Sequence, residues 1–420
     1  MLSRLLAVGQ AGVRVRPLGG TRAGEVRIGR FLRNHRVTPV EMISTASAHT
    51  ARLVEGRHVL VIQDTTSLRD DGHGHSLNLH PSIVVDASDG ALLGLLHADL
   101  LRRDGHPKPH CNNRPLAEKE SRRWVDALRT AGDLIDAGAR QVTMVADREG
   151  DFYEDFVCRP AGVEVVIRAH HDRVLASGTR LFACTQTLPE LGRETIQLPA
   201  APGRRARKAT LALHACRVEI KRPSRNLPQE AAKLPAKVSL SFVEVEEVDP
   251  PAGVPPIHWR LLTTHEVRTL ADALRITRYY RERWTIEQLF RVMKTKGFDI
   301  EAVRIEDPAP FENLATATLI AAIQVLQMVR DRDGGAARPL HDVFDPADQP
   351  ALQAICQTLQ GKTERQKNPH PPGSLAYAAW ICARLGGWTG YYGKPGPVVT
   401  LQGFMRLNTM LLGWNIARVM

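Results

Sequence analysis

Gln141–Asp151 reads QVTMVADREGD. Its apolar residues run uncharged from Val142 to Ala146, the pattern of a buried strand, and Asp147 breaks that run at the entry to a helix. A matching run lies upstream in HVLVIQDTT, His58–Thr66, where Asp64 closes a second short strand. Working outward from these two, the chain shows a polar, Gly- and His-rich loop at Arg69–His80. Two strands follow, SIVVDASDG and ALLGLLHADLL, joined by a turn at Asp89–Gly90. Arg114–Ala137 suits an amphipathic helix, and VEVVIRAH, Val163–His170, is a further strand. Three strands, helix, strand, helix, strand is an α/β order. The first three strands read as an antiparallel meander, and the later ones, spaced by helices, as parallel crossovers.

From about His171 to Thr264 the chain is β-like, proline-bearing and locally basic (GRRARK, Gly203–Lys208), an insertion into the α/β core whose last strand is HWRLLTT, His258–Thr264. One long helix is expected over roughly Leu270–Lys296. After Pro308 the remainder reads as mainly helical, interrupted around Asn368–Ser374. Residues before about Gly56 are basic, with a helix-like segment at Arg27–Arg36. The expected organisation is therefore residues 1–55 as a partial N-terminal DNA-binding region, 56–308 as the core with its insertion at about 171–265, and 309–420 as a helical C-terminal domain.

With 420 residues, 43% hydrophobic and 24% charged, the chain falls in the folded, water-soluble class, and its length suits two or three domains. A formal net charge of +11 favours a polyanionic partner, because Lys and Arg release counterions condensed on a phosphate backbone. No stretch of eighteen uncharged apolar residues stands out as a membrane span, and the start lacks the apolar core of a secretory signal. Six cysteines are scattered without a C-x-x-C pair, which disfavours structural zinc and a disulfide framework and points to reduced thiols in the cytoplasm.

Asp64 and Asp147 both end strands, and strand ends are where ligand-binding groups collect in open α/β sheets. Converging carboxylates repel unless cations bridge them, and hard divalent ions with oxygen ligands meet that need. Two such ions about 3.5–4 Å apart activate water and stabilise the leaving oxygen in phosphoryl transfer. Aspartate after a strand is equally a turn and helix N-cap residue. The segment RYYRERWTIEQLFRVMKTK adds Tyr280, Arg283, Glu287 and Lys294 at spacings of three, four and seven, which share one helix face over roughly 21 Å. That strip offers a carboxylate, two cations and a phenol to DNA phosphates; it is also compatible with an ordinary solvated ion-pair face.

These residues resemble the DDE transposases of the insertion-sequence-four group, to which the Tn-five transposase belongs. Its Tyr-x2-Arg-x3-Glu-x6-Lys signature is matched by Tyr280, Arg283, Glu287 and Lys294. QDTTSL around Asp64 and ADREGDFYE around Asp147 are similar to the two aspartate blocks. RLGGW…GKPGP, Arg384–Pro397, is similar to the C-terminal dimerisation region. The resemblance implies an RNase H-like catalytic core with a β-strand insertion before the catalytic-glutamate helix, plus the helical C-terminal domain. It implies that Asp64, Asp147 and Glu287 form the catalytic triad and hold two magnesium ions, with manganese as a substitute. Tyr280, Arg283 and Lys294 would contact phosphates near the transposon end, and Trp259 would stack on a flipped base, its alternative being a core aromatic at a strand end.

The implied chemistry is cut-and-paste transposition of double-stranded DNA by a homodimer: nicking, hairpin formation by the freed 3′-hydroxyl, hairpin opening, and attack on target DNA. The implied location is the bacterial cytoplasm, nucleoid-associated when DNA is bound. Arg148, Arg168 and GRRARK are further candidates for the DNA path. Thr65 and Thr66 orient the site or cap the strand, Glu149 and Asp151 compete with Asp147 as the second aspartate, and His73, His75 and His80 are expected in a solvated loop. Asp64 comes early, with room for only part of the family's N-terminal DNA-binding region. That motivates one alternative to the active enzyme, a truncated relic or inhibitor dimerising with a full-length transposase; a separate alternative is a host nuclease with an RNase H-like core and no strand transfer.

Overall fold

The computed structural model describes residues 13, 15–70, 72, 75–104, 121–186, 188–198, 205–223, 233–294 and 297–419. The strands, in chain order, are β1 (His58–Gln63), β2 (Thr66–Asp70), β3 (His75–Asp86), β4 (Leu92–Asp104), β5 (Gln141–Ala146), β6 (Val163–Arg168), β7 (Gly192–Leu198), β8 (Arg207–Lys221), β9 (Lys237–Val248) and β10 (His258–Thr263). The chain folds into two compact units. One comprises Met1–Leu53, Thr65–Gly105 and Thr285–Met420; the other comprises Val54–Asp64 and His106–Trp284.

The second unit carries a mixed sheet in the order β1-β5-β6-β10-β9-β8-β7. β1 pairs in parallel with β5, Ile62 opposite Val145, and β5 pairs in parallel with β6, Ala146 opposite Ile167. From β6 onward every neighbour is antiparallel. The apolar runs are buried as their composition demands: Val59–Ile62, Val142 and Met144–Ala146 are all at most 1% exposed.

Helix Arg122–Asp136 packs on β5, β1 and β6 through Trp124, Leu128, Ala131 and Leu134, one stripe at helical spacing. Each large side chain so buried stabilises the unit by about 1.5–3 kcal/mol. The part of this helix expected at 114–120 lies outside the described residues. Helix Leu270–Glu282 starts with a reciprocal cap: the Thr269 hydroxyl accepts from the Asp272 N–H, and the Asp272 carboxylate accepts from the Thr269 N–H.

The first unit contains the antiparallel meander β2-β3-β4. The expected hairpin is present, with Asp86 N–H bonded to the Ala91 carbonyl at 2.9 Å and Gly90 at φ +75°, a left-handed conformation suited to glycine. The core helix is Pro308–Asp331, long and apolar enough to cross a membrane by length and composition, with 78% of its apolar window buried. Its polar side chains bond within the same unit: Asn313 Nδ2 donates to the carbonyls of Leu32 and Val37, and Gln327 Nε2 to that of Leu93. Helices Leu375–Leu385 and Pro397–Val419 cross so closely that a Cβ on Gly403 would lie 1.6 Å from the Cys382 carbonyl oxygen.

Three expectations are corrected. Much of the Arg69–His80 loop is strand, in β2 and β3. His80 is fully buried and bonded to the Thr65 hydroxyl at 2.9 Å, because neighbours across the sheet, not local composition, decide its environment. His75 is exposed, and His73 lies outside the described residues. The single helix Leu270–Lys296 is two, Leu270–Glu282 and Trp284–Met293, with Arg283 between them. The Arg283 N–H bonds to the Tyr280 carbonyl at 3.1 Å, a tighter 3₁₀-type link that interrupts the i→i−4 ladder, while Arg283 itself keeps right-handed helical angles. The helix foreseen at Arg27–Arg36 runs from Arg22 to Leu32.

Candidate active site

The parallel register of the second unit brings two carboxylates and a guanidinium into one row. Asp64 lies two residues beyond Ile62, and Asp147 two beyond Val145, its β5 partner. Arg168 stands one beyond Ile167, the partner of Ala146. Residues level with one another in parallel strands point to the same face at a spacing of about 4.8 Å. Asp64, Asp147 and Arg168 therefore share the C-terminal edge of three adjoining strands.

Arg283 supplies a neutralising charge to Asp64: its Nη1 donates to Asp64 Oδ2 at 3.1 Å, with side chains 11% and 16% exposed. Asp147 also performs the cap that aspartate after a strand often performs. It accepts the Glu149 N–H at 2.8 Å and opens the turn Arg148–Gly150. That bond engages Oδ1. A carboxylate has about four lone-pair sites, so this cap does not exhaust the accepting capacity of Asp147.

Antiparallel β10 brings Trp259 to the same edge, since Leu261 pairs with Arg168 and β10 begins at His258. Trp259 is 6% exposed. It meets Tyr280 edge-on at 5.8 Å and Trp284 edge-on at 6.3 Å. Tyr280 is itself buried. Burial pushes its hydroxyl above the ordinary phenol value, Arg283 and Arg168 pull it back, and Asp147 adds to the rise. These charges place Tyr280 beside both arginines and the second aspartate. Arg168 also donates through Nη2 to the His258 carbonyl at 2.9 Å, which joins the ends of β6 and β10.

Six of the eight expected residues thus assemble in the second unit: Asp64, Asp147, Arg168, Trp259, Tyr280 and Arg283. Glu287 and Lys294 belong to the first unit. Glu287 is half-buried in the first turn of Trp284–Met293. Lys294 Nζ is paired with Glu301 Oε1 at 2.9 Å. Among the secondary candidates, Asp151 is buried and spoken for: Oδ2 accepts the N–H groups of His170 and His171, and Arg173 Nη1 donates to Oδ1 at 2.6 Å. It fixes the segment after β6, while Glu149 is exposed. Arg207 of the basic run is committed to the buried Glu247, a cross-strand pair within the sheet; Gly203 and Arg204 lie outside the described residues.

Sequence reasoning missed two participants. Trp284 is 44% exposed beside Trp259, an aromatic open to solvent at the rim of the carboxylate row. Attention to the i, i+3, i+7 face passed over it, although it directly follows Arg283. Glu244 of β9 is the second. It accepts from His258 Nε2 at 2.7 Å, from Arg260 Nε at 2.9 Å and from the Thr185 hydroxyl. It therefore grips the residues on either side of Trp259. Burial, the largest influence on its carboxyl, pushes the pKa up, but the hydrogen bonds from His258, Thr185 and Arg260 together outweigh it and hold it at about 2.

The donor chemistry of Asp64 and Asp147, carboxylate oxygens in a neighbouring pair, fits a hard divalent cation. Among the described residues no group of three or more His, Cys, Asp or Glu side chains is gathered closely enough to hold a metal by itself. The family described as the transposase DDE domain matches residues 57–323. Domains of this family generally use divalent metal ions and act on DNA, and the mixed α/β architecture agrees with the RNase H-like fold such a domain adopts. That match spans more than half of the sequence and includes both aspartates, the sheet that carries them and Glu287, and on this ground the chain belongs to the transposase DDE family.

Proposed function

We propose that this protein is a cut-and-paste transposase of the insertion-sequence-four group, similar to the Tn-five transposase, with Asp64, Asp147 and Glu287 as its catalytic carboxylates. The observation that carries the reading is the row of Asp64, Asp147 and Arg168 at adjoining strand ends inside the matched domain. Glu287 joins it through the Tyr280-Arg283-Glu287-Lys294 signature of the sequence. Magnesium ions held by these carboxylates would polarise the scissile phosphate and lower the pKa of an attacking water.

The chain's own groups do the rest. Arg168 and Arg283 bind phosphate oxygens as charge-assisted donors. Trp259, buried beside Tyr280 and Trp284, would stack on an unstacked base once its face is uncovered. Water and then the freed 3′-hydroxyl serve as successive nucleophiles, each displacing in line at a phosphodiester. The exposed apolar residues of Pro397–Val419, Met410, Leu412, Trp414 and Ile416, support a homodimer through the C-terminal domain.

The test uses DNA from both sides of the gene, searched first for a pair of inverted repeats, incubated with magnesium and the full chain. Nicking at the repeat boundary followed by joining of precut ends to target DNA is expected, with both lost in Asp147→Asn and Glu287→Gln. Full cleavage by either variant would sink the site assignment. Cleavage without joining would identify a nuclease instead.

A further inference from the structure

Outside the carboxylate row, the second unit holds a pair of thiols that the DNA chemistry does not use. Cys184 Sγ and Cys216 Sγ lie 3.1 Å apart, and both residues are half-buried and free. Cys184 closes the short turn Leu181–Ala183. Cys216 sits in β8 opposite Phe242 of β9. Sulfurs this close need only a small movement to reach bonding distance, provided the backbone positions permit it. The surroundings favour the chemistry. Either thiol can donate to the other across this contact; with Cys184 as the donor, the bond lowers the pKa of Cys216 and raises that of Cys184, which makes Cys216 the attacking thiolate.

We propose that Cys184 and Cys216 form a reversible intramolecular disulfide, taking a low-molecular-weight disulfide such as oxidised glutathione as the oxidant. The Cys216 thiolate attacks one sulfur of that disulfide, forming a mixed disulfide and releasing one small thiolate. Cys184 then attacks the Cys216 sulfur. Its proton passes to the thiolate already released, the second small thiolate leaves and is protonated from solvent, and the internal disulfide remains. Two protein thiols are oxidised and one small disulfide is reduced to two thiols.

The bond would pin the Leu181–Thr185 segment onto β8. Thr185 is the residue next to Cys184 and donates to Glu244, which holds His258 and Arg260 around Trp259. Oxidation would therefore stiffen the sheet segment that supports Trp259. By closing the loop between the two residues it would also restrict the unfolded chain.

The experiment equilibrates the full-length protein in glutathione buffers of rising oxidised fraction, quenches by alkylation, and maps peptides without reduction. The expected result is a Cys184–Cys216 cross-linked peptide, two fewer titratable thiols, a melting temperature higher by several degrees, and full reversal by dithiothreitol. Cys216→Ser should give neither the peptide nor the shift. Cys184→Ser should stop at a mixed disulfide on Cys216. An unchanged thiol count in the wild type overturns the proposal, as does a cross-link mapped to other cysteines or a mixed disulfide at Cys216 that does not resolve. Peptide mapping of the wild type is decisive by itself, so a variant that fails to fold does not rescue or weaken the proposal. A cross-link without any rise in melting temperature overturns the stiffening.

Discussion

Replacing Glu244 by Gln keeps the shape of the side chain and removes its charge, and the structure sets the size of the effect. The carboxyl is held at about 2 against an ordinary 4.5 by His258, Thr185 and Arg260 working against burial. At about 1.36 kcal/mol per pKa unit, that difference corresponds to roughly 3 kcal/mol of preference for the charged form. Solvent screening of a partly accessible network reduces it to about 2 kcal/mol.

The sign follows from proton binding. The folded carboxyl takes its proton at lower pH than the unfolded one, so the stabilisation is complete above about pH 4.5 and is lost as pH falls through about 2. Urea unfolding of wild type and Glu244→Gln, followed by hydrogen exchange at β9 and β10 amides, should show a gap of about 2 kcal/mol that is level from pH 8 to pH 5 and shrinks in acid. A gap under about 0.5 kcal/mol at pH 7 would refute the reasoning, since that is the size of an ordinary surface change. So would a gap that stays constant down to pH 3.

Three further outcomes are expected. His265 is buried beside Thr143 and held down to about 4, by burial first and then by Arg275 and Arg159. It stays neutral in the fold while the unfolded chain takes a proton below about 6.5, so stability falls by about 3 kcal/mol between those values, and His265→Gln should flatten the wild-type acid slope in matched denaturation curves. Trp124 is 1% exposed beneath β5, so Trp124→Ala should cost about 3–5 kcal/mol, read as a lower midpoint in urea at unchanged slope. Lys294→Ala removes a half-exposed pair with Glu301 and should change stability by less than about 1 kcal/mol. If Lys294 also contacts phosphate, the same variant should weaken DNA binding and flatten its dependence on salt.

Where apolar pattern dominates, the sequence was easy to read. β1 and β5 appear as uncharged runs and β6 as a Val- and Ile-rich run broken only by Glu164 before Arg168, and the residues that end them are the ones that line the edge. β2 and the first half of β3 were hidden, because Ser, Asn, His and Arg give the composition of a loop while pairing supplies the strand. His80 shows the same limit: its burial depends on Thr65, fifteen residues away, and on the strands flanking it. The break at Arg283 has no Gly or Pro to announce it and lies inside a segment of good helical periodicity. Glu244 and the Cys184–Cys216 pair were invisible for a different reason. Each depends on which strands become neighbours, and spacing along the chain carries no record of that.

The parallel pairing of β1 with β5 also has a consequence for biogenesis. His58 meets Gln141, so about 80 residues separate the partners. At a synthesis rate of about 5–20 residues per second, one edge of β1 leaves the ribosome roughly 4–16 seconds before the strand that will cover it. For that interval a short, uncharged, β-branched edge is open to any passing strand. The yield of soluble protein should therefore respond to translation speed and to chaperone supply more strongly than its final stability would suggest.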